Sequence, residues 1–465
     1  MPSSGGIEES VDATSERTSD TRRPRFVDRA AAARLSVLDD IFYRGNHGRG
    51  AEVVMQGVWR FAEPIAPDDL ADLHRLLAAS DLTRRVATSP VPFARRSFVA
   101  DAVVAPLRVD PEPVAPHDVV AWADDRAAAG FDVDRGPVWE IAVRPVTDGG
   151  SAVTVSCSHV VTEGLGLIGV ARAALAGSDP SAVRTPTTPP RLRDDVIDAL
   201  LLWVHVVVGV VRSLARTVID PQVRAELLAA ARPPSRPVAA PSGPPVREVH
   251  AVLDVDAAHW DRFVAASGAT STAVATALAA DLVREVRGPG PVEVAIPMAG
   301  GDETGELMMA ETVIDDADDA AVCADKLRAA YAAAGGGASG SGLGPPGGMP
   351  AELLQLLGDR IAHAMVPDPG GREALVSPLG DLGGVFDELG GHRATGMAVR
   401  SVEPRPTDTP SRTVVRLWSG RSAGRITLTL VTPGRPGRGV TMDRHRLGQL
   451  GAAVAARRGL VAIPW

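Results

Sequence analysis

The sequence predicts an α+β fold made of two lobes. Its 465 residues exceed the size at which a single hydrophobic core usually stops growing, so we expect two cores. Predicted strands and helices follow one another without the strict alternation of a doubly wound sheet, which favours mixed sheets flanked by helices. A proline-rich stretch at 231–245 has the composition of a linker between the lobes.

Composition and charge exclude several classes of protein. The 48 basic and 57 acidic side chains give a net charge of −9, whereas nucleic-acid binding usually needs a clustered basic surface. The two cysteines, Cys157 and Cys323, are too few and too far apart for a disulfide framework or a zinc site. This cysteine count agrees with a reducing cytoplasm, and we expect neither a metal nor a resident cofactor.

The chain is predicted to begin with a disordered tail at 1–33. These residues are rich in Ser, Glu, Asp, Arg and Thr and contain no apolar run, which excludes a secretory signal and favours disorder. The N-terminal lobe is expected over 34–180. It opens at 34–39, where Ser36 is placed to cap a helix.

Hydrophobic periodicity defines the elements of this lobe. Residues 53–61 alternate as a strand, and leucines three and four apart make 67–82 an amphipathic helix. Segments 138–146 and 152–161 form a strand pair, because a Thr-Asp-Gly-Gly turn joins them. A helix over 165–175 follows.

The most apolar segment, 195–219, lies in the predicted linker region 181–246. Its uncharged core at 199–211 is shorter than the ~20 residues that span a bilayer. Polar or small residues recur at spacings of three and four or their sum, at positions 195, 198, 205, 209, 212 and 216. This predicts an amphipathic helix with one narrow polar stripe and apolar sides. Two interpretations stay open: the helix packs within the protein, or it lies on a membrane or holds a lipid chain.

The C-terminal lobe is expected over 247–465. Its first half predicts a strand, two helices and a strand, at 248–255, 257–267, 270–286 and 292–297. Its second half predicts a helix at 351–364, strands at 395–402, 413–419 and 425–431, and a closing helix from 443. A glycine-rich stretch at 333–350 predicts a flexible insertion.

The strongest chemical signal lies at 153–169. A predicted strand ends at His159, a loop carries Glu163 and Gly164, and a helix follows. A histidine at a strand terminus can face a cleft on a rigid backbone, and its near-neutral pKa suits proton removal from an alcohol or thiol. Gly164 is expected to let the backbone turn closely beneath the histidine. A lone histidine beside an apolar strand is also common as a structural residue.

The pattern His159-Val-Val-Thr-Glu163-Gly164 resembles the His-His-x-x-x-Asp-Gly motif of the chloramphenicol-acetyltransferase-like superfamily. That superfamily includes peptide-synthetase condensation domains, polyketide-associated acyltransferases and bacterial wax ester synthase/diacylglycerol acyltransferases. The last group is the most similar.

Three further segments carry the same resemblance in the expected order. Arg34-Leu-Ser-Val-Leu-Asp-Asp-Ile-Phe42 resembles the opening Leu-Ser-x-x-Asp-x-x-Phe of the acyltransferases. Gly-Pro-Val-Trp139-Glu resembles their Pro-Leu-Trp segment, a short strand before the histidine motif. Ser377-Pro-Leu-Gly380-Asp resembles the Ser-Asn-x-x-Gly or Ser-Asn-x-Gly element of the second lobe.

The resemblance implies an acyl-CoA-dependent O-acyltransferase with an active-site tunnel between two lobes. A fatty acyl group would move from a thioester to the hydroxyl of an alcohol or diacylglycerol, with His159 as general base and acyl-CoA as co-substrate. Glu163 and Gly164 would support the motif, and Ser377 and Gly380 would form the opposite-lobe element. The protein would be cytoplasmic or peripheral at a membrane or lipid-droplet surface.

Three residues depart from the family pattern. Ser158 replaces the first histidine, whose role is mainly supportive, and Pro378 replaces the asparagine of the second-lobe element. Glu163 replaces an aspartate that forms a structural salt bridge, so we expect an arginine partner among Arg84, Arg85, Arg95 and Arg96. Two alternatives stay open: a catalytically degenerate lipid-binding or interaction protein on the same fold, and an acyltransferase with an acyl carrier protein donor.

Other motifs have simpler interpretations. Gly164-Leu-Gly-Leu-Ile-Gly169 fits a dinucleotide-binding pattern, but a proline-rich loop follows where that fold needs a strand. Cys157 points the same way as His159 on one strand, yet a buried apolar role is favoured over a Cys/His nucleophilic pair. Three histidines have no partners at metal-ligand spacing and are assigned to the surface or core: His205, His250 and His363.

Overall fold

The computed structural model describes residues 33–49, 52–176, 185–221, 224, 247–299, 307–335, 349–358, 361–362, 371–406, 412–434 and 441–465. The predicted linker stretch at 231–245 and His363 lie outside these residues, as do nearly all of the predicted tail and most of the glycine-rich insertion. Two mixed sheets flanked by helices confirm the predicted α+β class.

A six-stranded sheet organises the N-terminal lobe. Its strands in spatial order are β11 (Glu388–Leu389), β12 (His392–Val402), β1 (Val54–Phe61), β6 (Ser151–Ser158), β5 (Trp139–Pro145) and β4 (Arg108–Val109). A separate two-stranded sheet joins β2 (Arg85–Ala87) to β3 (Ser97–Val99). The helices of this lobe are α1 (Val37–Arg49), α2 (Ala71–Ala78), α3 (Val119–Ala127) and α4 (Gly164–Leu175).

The first helix begins where the sequence predicts. Ser36 Oγ accepts a hydrogen bond from the Asp39 N–H at 3.1 Å, and the Asp39 carboxylate accepts one from the Ser36 N–H at 3.1 Å. These reciprocal bonds satisfy backbone donors that an uncapped helix leaves free. The predicted cap at Ser36 is therefore confirmed.

Between the lobes, α5 (Leu192–Ile219) is the longest helix of the described chain. It is also long and apolar enough to cross a membrane by length and composition. Its buried side combines the carboxylates of Asp195 and Asp198 with three apolar residues, Ala199, Leu202 and Val206.

A seven-stranded sheet organises the C-terminal lobe. Its spatial order is β15 (Ala462–Pro464), β7 (Glu248–Asp256), β14 (Arg425–Pro433), β13 (Val415–Ser422), β10 (Ala374–Asp381), β8 (Val292–Ala299) and β9 (Leu307–Ile314). The neighbours of β10 run parallel to it and the other pairs are antiparallel. The helices of this half are α6 (Ala257–Ser267), α7 (Ser271–Arg287), α8 (Ala320–Gly335), α9 (Leu353–Leu356) and α10 (Arg444–Arg457).

The predicted lobe boundary is wrong for β11 and β12. We expected 247–465 to form one lobe, but β12 pairs antiparallel with β1, with Val402 opposite Val54. Met397 and Val399 are buried in the N-terminal core. Because a strand lowers its free energy wherever its apolar face is covered and its ladder is paired, local pattern does not reveal the sheet it joins.

A buried ionic network joins the two lobes where β12 crosses. Arg400 is fully buried, donates to the Gln56 side-chain oxygen at 2.6 and 2.9 Å, and lies 2.7 Å from an Asp124 carboxylate oxygen. His250 and Arg444 of the C-terminal lobe contact the same carboxylate. Burial raises the pKa of Asp124, but the charges of Arg400, His250 and Arg444 outweigh it and hold that pKa well below its usual range.

Candidate active site

His159 lies directly after β6, as the sequence predicts. Its backbone N–H donates to the Val53 carbonyl at 2.8 Å, and the preceding Ser158 N–H donates to the Val138 carbonyl at 2.9 Å. These acceptors directly precede β1 and β5, the two strands that flank β6. The backbone under the imidazole is thus fixed from both sides, which suits a side chain that must hold a position.

The His159 ring is partly buried against an aromatic side chain. Phe42 of α1 stacks on it, with ring centroids 3.9 Å apart and an angle of 28° between planes. Nδ1 is buried and has no hydrogen-bond partner of good geometry in the described chain. Burial lowers the pKa of His159 to about 4, and an interaction with its own backbone opposes this only in part. The imidazole is therefore neutral at neutral pH.

The expected ion pair of Glu163 is absent from the residues that the structure describes. Glu163 is the exposed N-cap residue of α4, and its pKa is raised by burial and then by the nearby Asp39 carboxylate. The four candidate arginines bind other partners: Arg84 the Val161 carbonyl, Arg85 Asp101, Arg95 Asp198, and Arg96 Asp40.

Arg84 replaces that ion pair as the support of the loop. Its guanidinium donates to the Val161 carbonyl from two nitrogens, at 2.5 and 3.1 Å, and lies 3.8 Å from the Phe98 ring centroid. The acceptor of this arginine is therefore a main-chain carbonyl, whereas we expected the carboxylate of Glu163. Glu163 takes no part in this contact.

Gly164 is the first residue of α4 and comes close to β1. A Cβ atom at this position would lie 2.9 Å from Met55 Cε, the far end of a flexible side chain. Two residues on, a Cβ at Gly166 would lie 2.3 Å from Thr162 Oγ1. A short side chain at Gly164 would require only Met55 to move, and the expected close turn beneath the histidine stays a prediction.

The opposite-lobe element lies at the end of β10. Ser377 is opposite Trp418 of β13, and the register shifts between Pro378 and Gly380. Gly380 has a φ of +70°, a conformation that favours glycine. In the described chain, no hydrogen bond, ion pair or ring contact joins Ser377 or Gly380 to His159.

An open cleft lies beside this element, between the two lobes. Its volume is about 480 Å³. It is lined by Arg172 of α4, by the turn from β13 to β14, and by four residues at and after the end of β10: Asp381, Gly383, Gly384 and Asp387. Arg172 also donates to the Asp381 carbonyl at 3.2 Å. His159 is not among its lining residues, so the predicted tunnel to His159 stays a prediction.

Two further residues lie close to His159: Cys157 has the buried role that we expected, and Phe42 makes a contact that we did not expect. Cys157 is fully buried in the N-terminal core, and burial raises the pKa of its thiol, which suits packing rather than nucleophilic attack. Phe42 was identified only as part of the opening segment, and its contact with His159 was missed. No group of three potential metal ligands is present among the described residues.

The arrangement of the two lobes is similar to that of several solved structures. The EpoB cyclization-docking bidomain of a nonribosomal peptide synthetase from Sorangium cellulosum is 13% identical, with a TM-score of 0.55, over 92% of this chain and 83% of that one. The wax ester synthase/diacylglycerol acyltransferase from Marinobacter aquaeolei VT8 is 16% identical, with a TM-score of 0.52, over 92% and 100%. The first condensation domain of the CDA synthetase is 14% identical, with a TM-score of 0.52, over 90% and 95%.

These similarities define the fold class. The chain has the same two-lobed fold as these cyclization, acyltransferase and condensation structures. No protein-family model matches the sequence, and no protein of curated function matches it either. At such low identity the similarity establishes the fold and nothing narrower.

Proposed function

We propose that this protein transfers a fatty acyl group from a thioester to a hydroxyl, with His159 as general base. The observation that carries this proposal is the stacking of Phe42 on His159. The two residues come from separate segments that the sequence assigns to the same acyltransferase family. The contact between these two residues, at the end of a rigid strand, gives the histidine a defined position in the fold.

The proposed reaction is a direct transfer. The neutral His159 imidazole removes the proton of the acceptor hydroxyl as its oxygen attacks the thioester carbonyl carbon. The new C–O bond forms, the C–S bond breaks, and the imidazolium returns the proton to the departing thiolate. Because burial keeps the imidazole neutral at neutral pH, almost every molecule carries the base in its active form.

The donor and acceptor are proposed as acyl-CoA and a lipid alcohol or diacylglycerol. The similarity in fold to the Marinobacter wax ester synthase/diacylglycerol acyltransferase supports this choice. The similarity to condensation domains supports the other donor, an acyl carrier protein. We propose a cytoplasmic location, peripheral at a membrane or lipid-droplet surface where such acceptors partition.

A second candidate is a lipid-binding protein that has lost catalysis. The observation that favours it is the unpaired Glu163, because a loop without its ion pair holds the histidine less firmly. The double hydrogen bond from Arg84 to Val161 argues for the enzyme, since the loop keeps an arginine support.

The test is thiol release from a long-chain acyl-CoA, with and without long-chain alcohols or diacylglycerol. Wild type should show acceptor-dependent release, and His159→Ala should lose it. His74→Ala is a matched control, since His74 is also a partly buried imidazole near an aromatic ring, 5.2 Å from Trp139. Equal loss in both variants, or full activity of His159→Ala, would contradict the assignment of the base.

A wild type that releases no thiol with any acceptor would be tested with an acylated carrier protein. Transfer from the carrier would retain His159 as base and change the donor. Tight binding of the acyl chain without turnover, unchanged by His159→Ala, would favour the lipid-binding protein.

A further inference from the structure

Helix α5 leaves most of its large apolar side chains uncovered. One side of the helix is buried and carries both polar and apolar residues: Asp195, Asp198, Ala199, Leu202, Val206 and Ser213. Thirteen large apolar side chains on the rest of the helix are 42% to 81% exposed: Leu192, Val196, Ile197, Leu200, Leu201, Trp203, Val204, Val207, Val208, Val211, Leu214, Val218 and Ile219. This amounts to on the order of 1,000 Å² of apolar surface, above the ~300–600 Å² of the largest patch on a typical monomer. The interpretation that this helix packs within the protein therefore holds for its buried side alone, and the broader apolar side is uncovered in the part of the chain that the structure describes.

Ion pairs hold the helix in this orientation. Arg34 Nη2 lies 2.7 Å from Asp195, and Arg95 donates to Asp198 at 2.6 and 3.1 Å. Ser89 also donates to Asp195, at 2.6 Å. Rotating α5 to bury its apolar side would break these pairs and bring two carboxylates into solvent while leaving the buried Arg34 without a countercharge, which is costly.

We propose that the exposed face of α5 docks in the plane of a lipid surface. By the helical period its apolar residues cover an arc of roughly 180°, and the helix is 28 residues long. A partner helix from a second copy would cover a narrower stripe and leave the flanks of this arc in water. A lipid surface covers a broad, featureless apolar arc, so lipid fits the observed shape better.

Charge and aromatic residues favour the same occupant. Arg193, Arg212 and Arg216 are exposed on α5, while Asp195 and Asp198 are neutralised inside the protein. The exposed polar face is therefore biased towards positive charge, which anionic headgroups attract.

A neighbouring loop widens the apolar face. Its Phe93 is 51% exposed and meets the edge of Trp203 with ring centroids 5.9 Å apart. Aromatic rings of this kind concentrate at the level of lipid headgroups.

The helix lies on the surface in this proposal and does not cross it. Crossing would pull Asp195 and Asp198 away from Arg34 and Arg95 and place charged groups in the hydrocarbon, where they are costly. This proposal does not depend on the role of His159, because vesicle binding tests it without any measurement of acyl transfer.

The experiment is sedimentation of the full chain with phosphatidylcholine vesicles, with and without phosphatidylglycerol. Val204→Glu and Val211→Glu place a charge on the exposed arc, where these residues are 61% and 59% exposed. The matched control is Val461→Glu, since Val461 is 66% exposed on the C-terminal lobe. We expect binding to anionic vesicles, at least tenfold weaker in each α5 variant and unchanged in the control, with release by an alkaline carbonate wash.

Three outcomes would overturn the proposal. Wild type bound to neither vesicle type excludes a lipid surface. Equal loss in Val461→Glu shows a general charge effect instead of a docking face. Dimers in sedimentation velocity that dissociate with Val204→Glu, without vesicle binding, identify a second copy as the occupant.

Discussion

Acidification is expected to destabilise the folded protein through His159. Its pKa in the folded chain is about 4, against about 6.5 for an exposed imidazole. Between these values the unfolded chain binds a proton that the folded chain does not, so stability is complete above pH ~6.5 and falls towards pH ~4. A difference of about 2.5 in pKa corresponds to at most about 3 kcal/mol. Because the ring is partly exposed, we expect about 1–2 kcal/mol.

Urea unfolding at about pH 7.5 and about pH 4.5 measures this loss. His159→Gln removes the titrating ring, so the difference in unfolding free energy between the two pH values should shrink by about 1–2 kcal/mol relative to wild type. His74→Gln should leave it unchanged. The subtraction is needed because burial also lowers the pKa of His250, which adds to the acid sensitivity of every variant.

The same reasoning predicts the effect of uncovering the ring. Phe42→Ala removes the stacked neighbour and should raise the pKa of His159 towards about 6.5, since the imidazolium then regains water. NMR titration of the histidine ring protons, assigned with His159→Gln, measures it. A wild-type pKa above 6, or the same pH dependence of stability in wild type and His159→Gln, would refute the burial of this ring.

Two further substitutions test the supports around the site by urea unfolding. Arg84→Ala removes both donors to the Val161 carbonyl and should cost about 2–3 kcal/mol, because that carbonyl loses its charged partner. Asp124→Asn leaves the fully buried Arg400 without its countercharge and should cost about 3–5 kcal/mol.

An exposed arginine and an exposed aspartate serve as controls. Arg75→Ala breaks a contact with Asp72 that is largely in solvent, and Asp118→Asn alters a carboxylate that is 55% exposed. Each should change stability by less than about 1 kcal/mol. If Arg84→Ala leaves the free energy of unfolding unchanged, the histidine loop is held by other contacts. If Asp124→Asn leaves it unchanged, the buried network does not stabilise the junction of the lobes.

Local features of the fold could be predicted because their causes are local. The cap at Ser36 depends on residues three positions apart, and the strand, loop and helix around His159 depend on alternation followed by helical spacing. The same holds for most strands of the C-terminal half. The membership of β11 and β12 in the first sheet escaped prediction, because it depends on pairing between distant parts of the chain. The helix predicted over 351–364 is interrupted after Leu356.

Partners of charged side chains could not be predicted. Sequence limited the support of the loop to four arginines, and Arg84 does contact it, but the acceptor is the Val161 carbonyl. An arginine binds whichever oxygen its fork reaches with good geometry. Choosing between a carboxylate and a carbonyl needs atomic positions that spacing along the chain does not contain.

The orientation of α5 could not be predicted for the same reason, and this orientation bears on the proposed chemistry. The periodicity predicts one polar stripe, yet only the positions of Arg34 and Arg95 show that its first residues, Asp195 and Asp198, face inward. The later residues of the stripe, His205, Arg212 and Arg216, are exposed. Arg34 also begins the short segment that carries Phe42, so one stretch of chain both holds α5 and covers His159. A lipid surface bound to α5 would therefore lie on the part of the lobe that holds the candidate base. An acceptor dissolved in that lipid would reach the enzyme without crossing water, which the reaction needs if the acceptor is a long-chain alcohol or diacylglycerol.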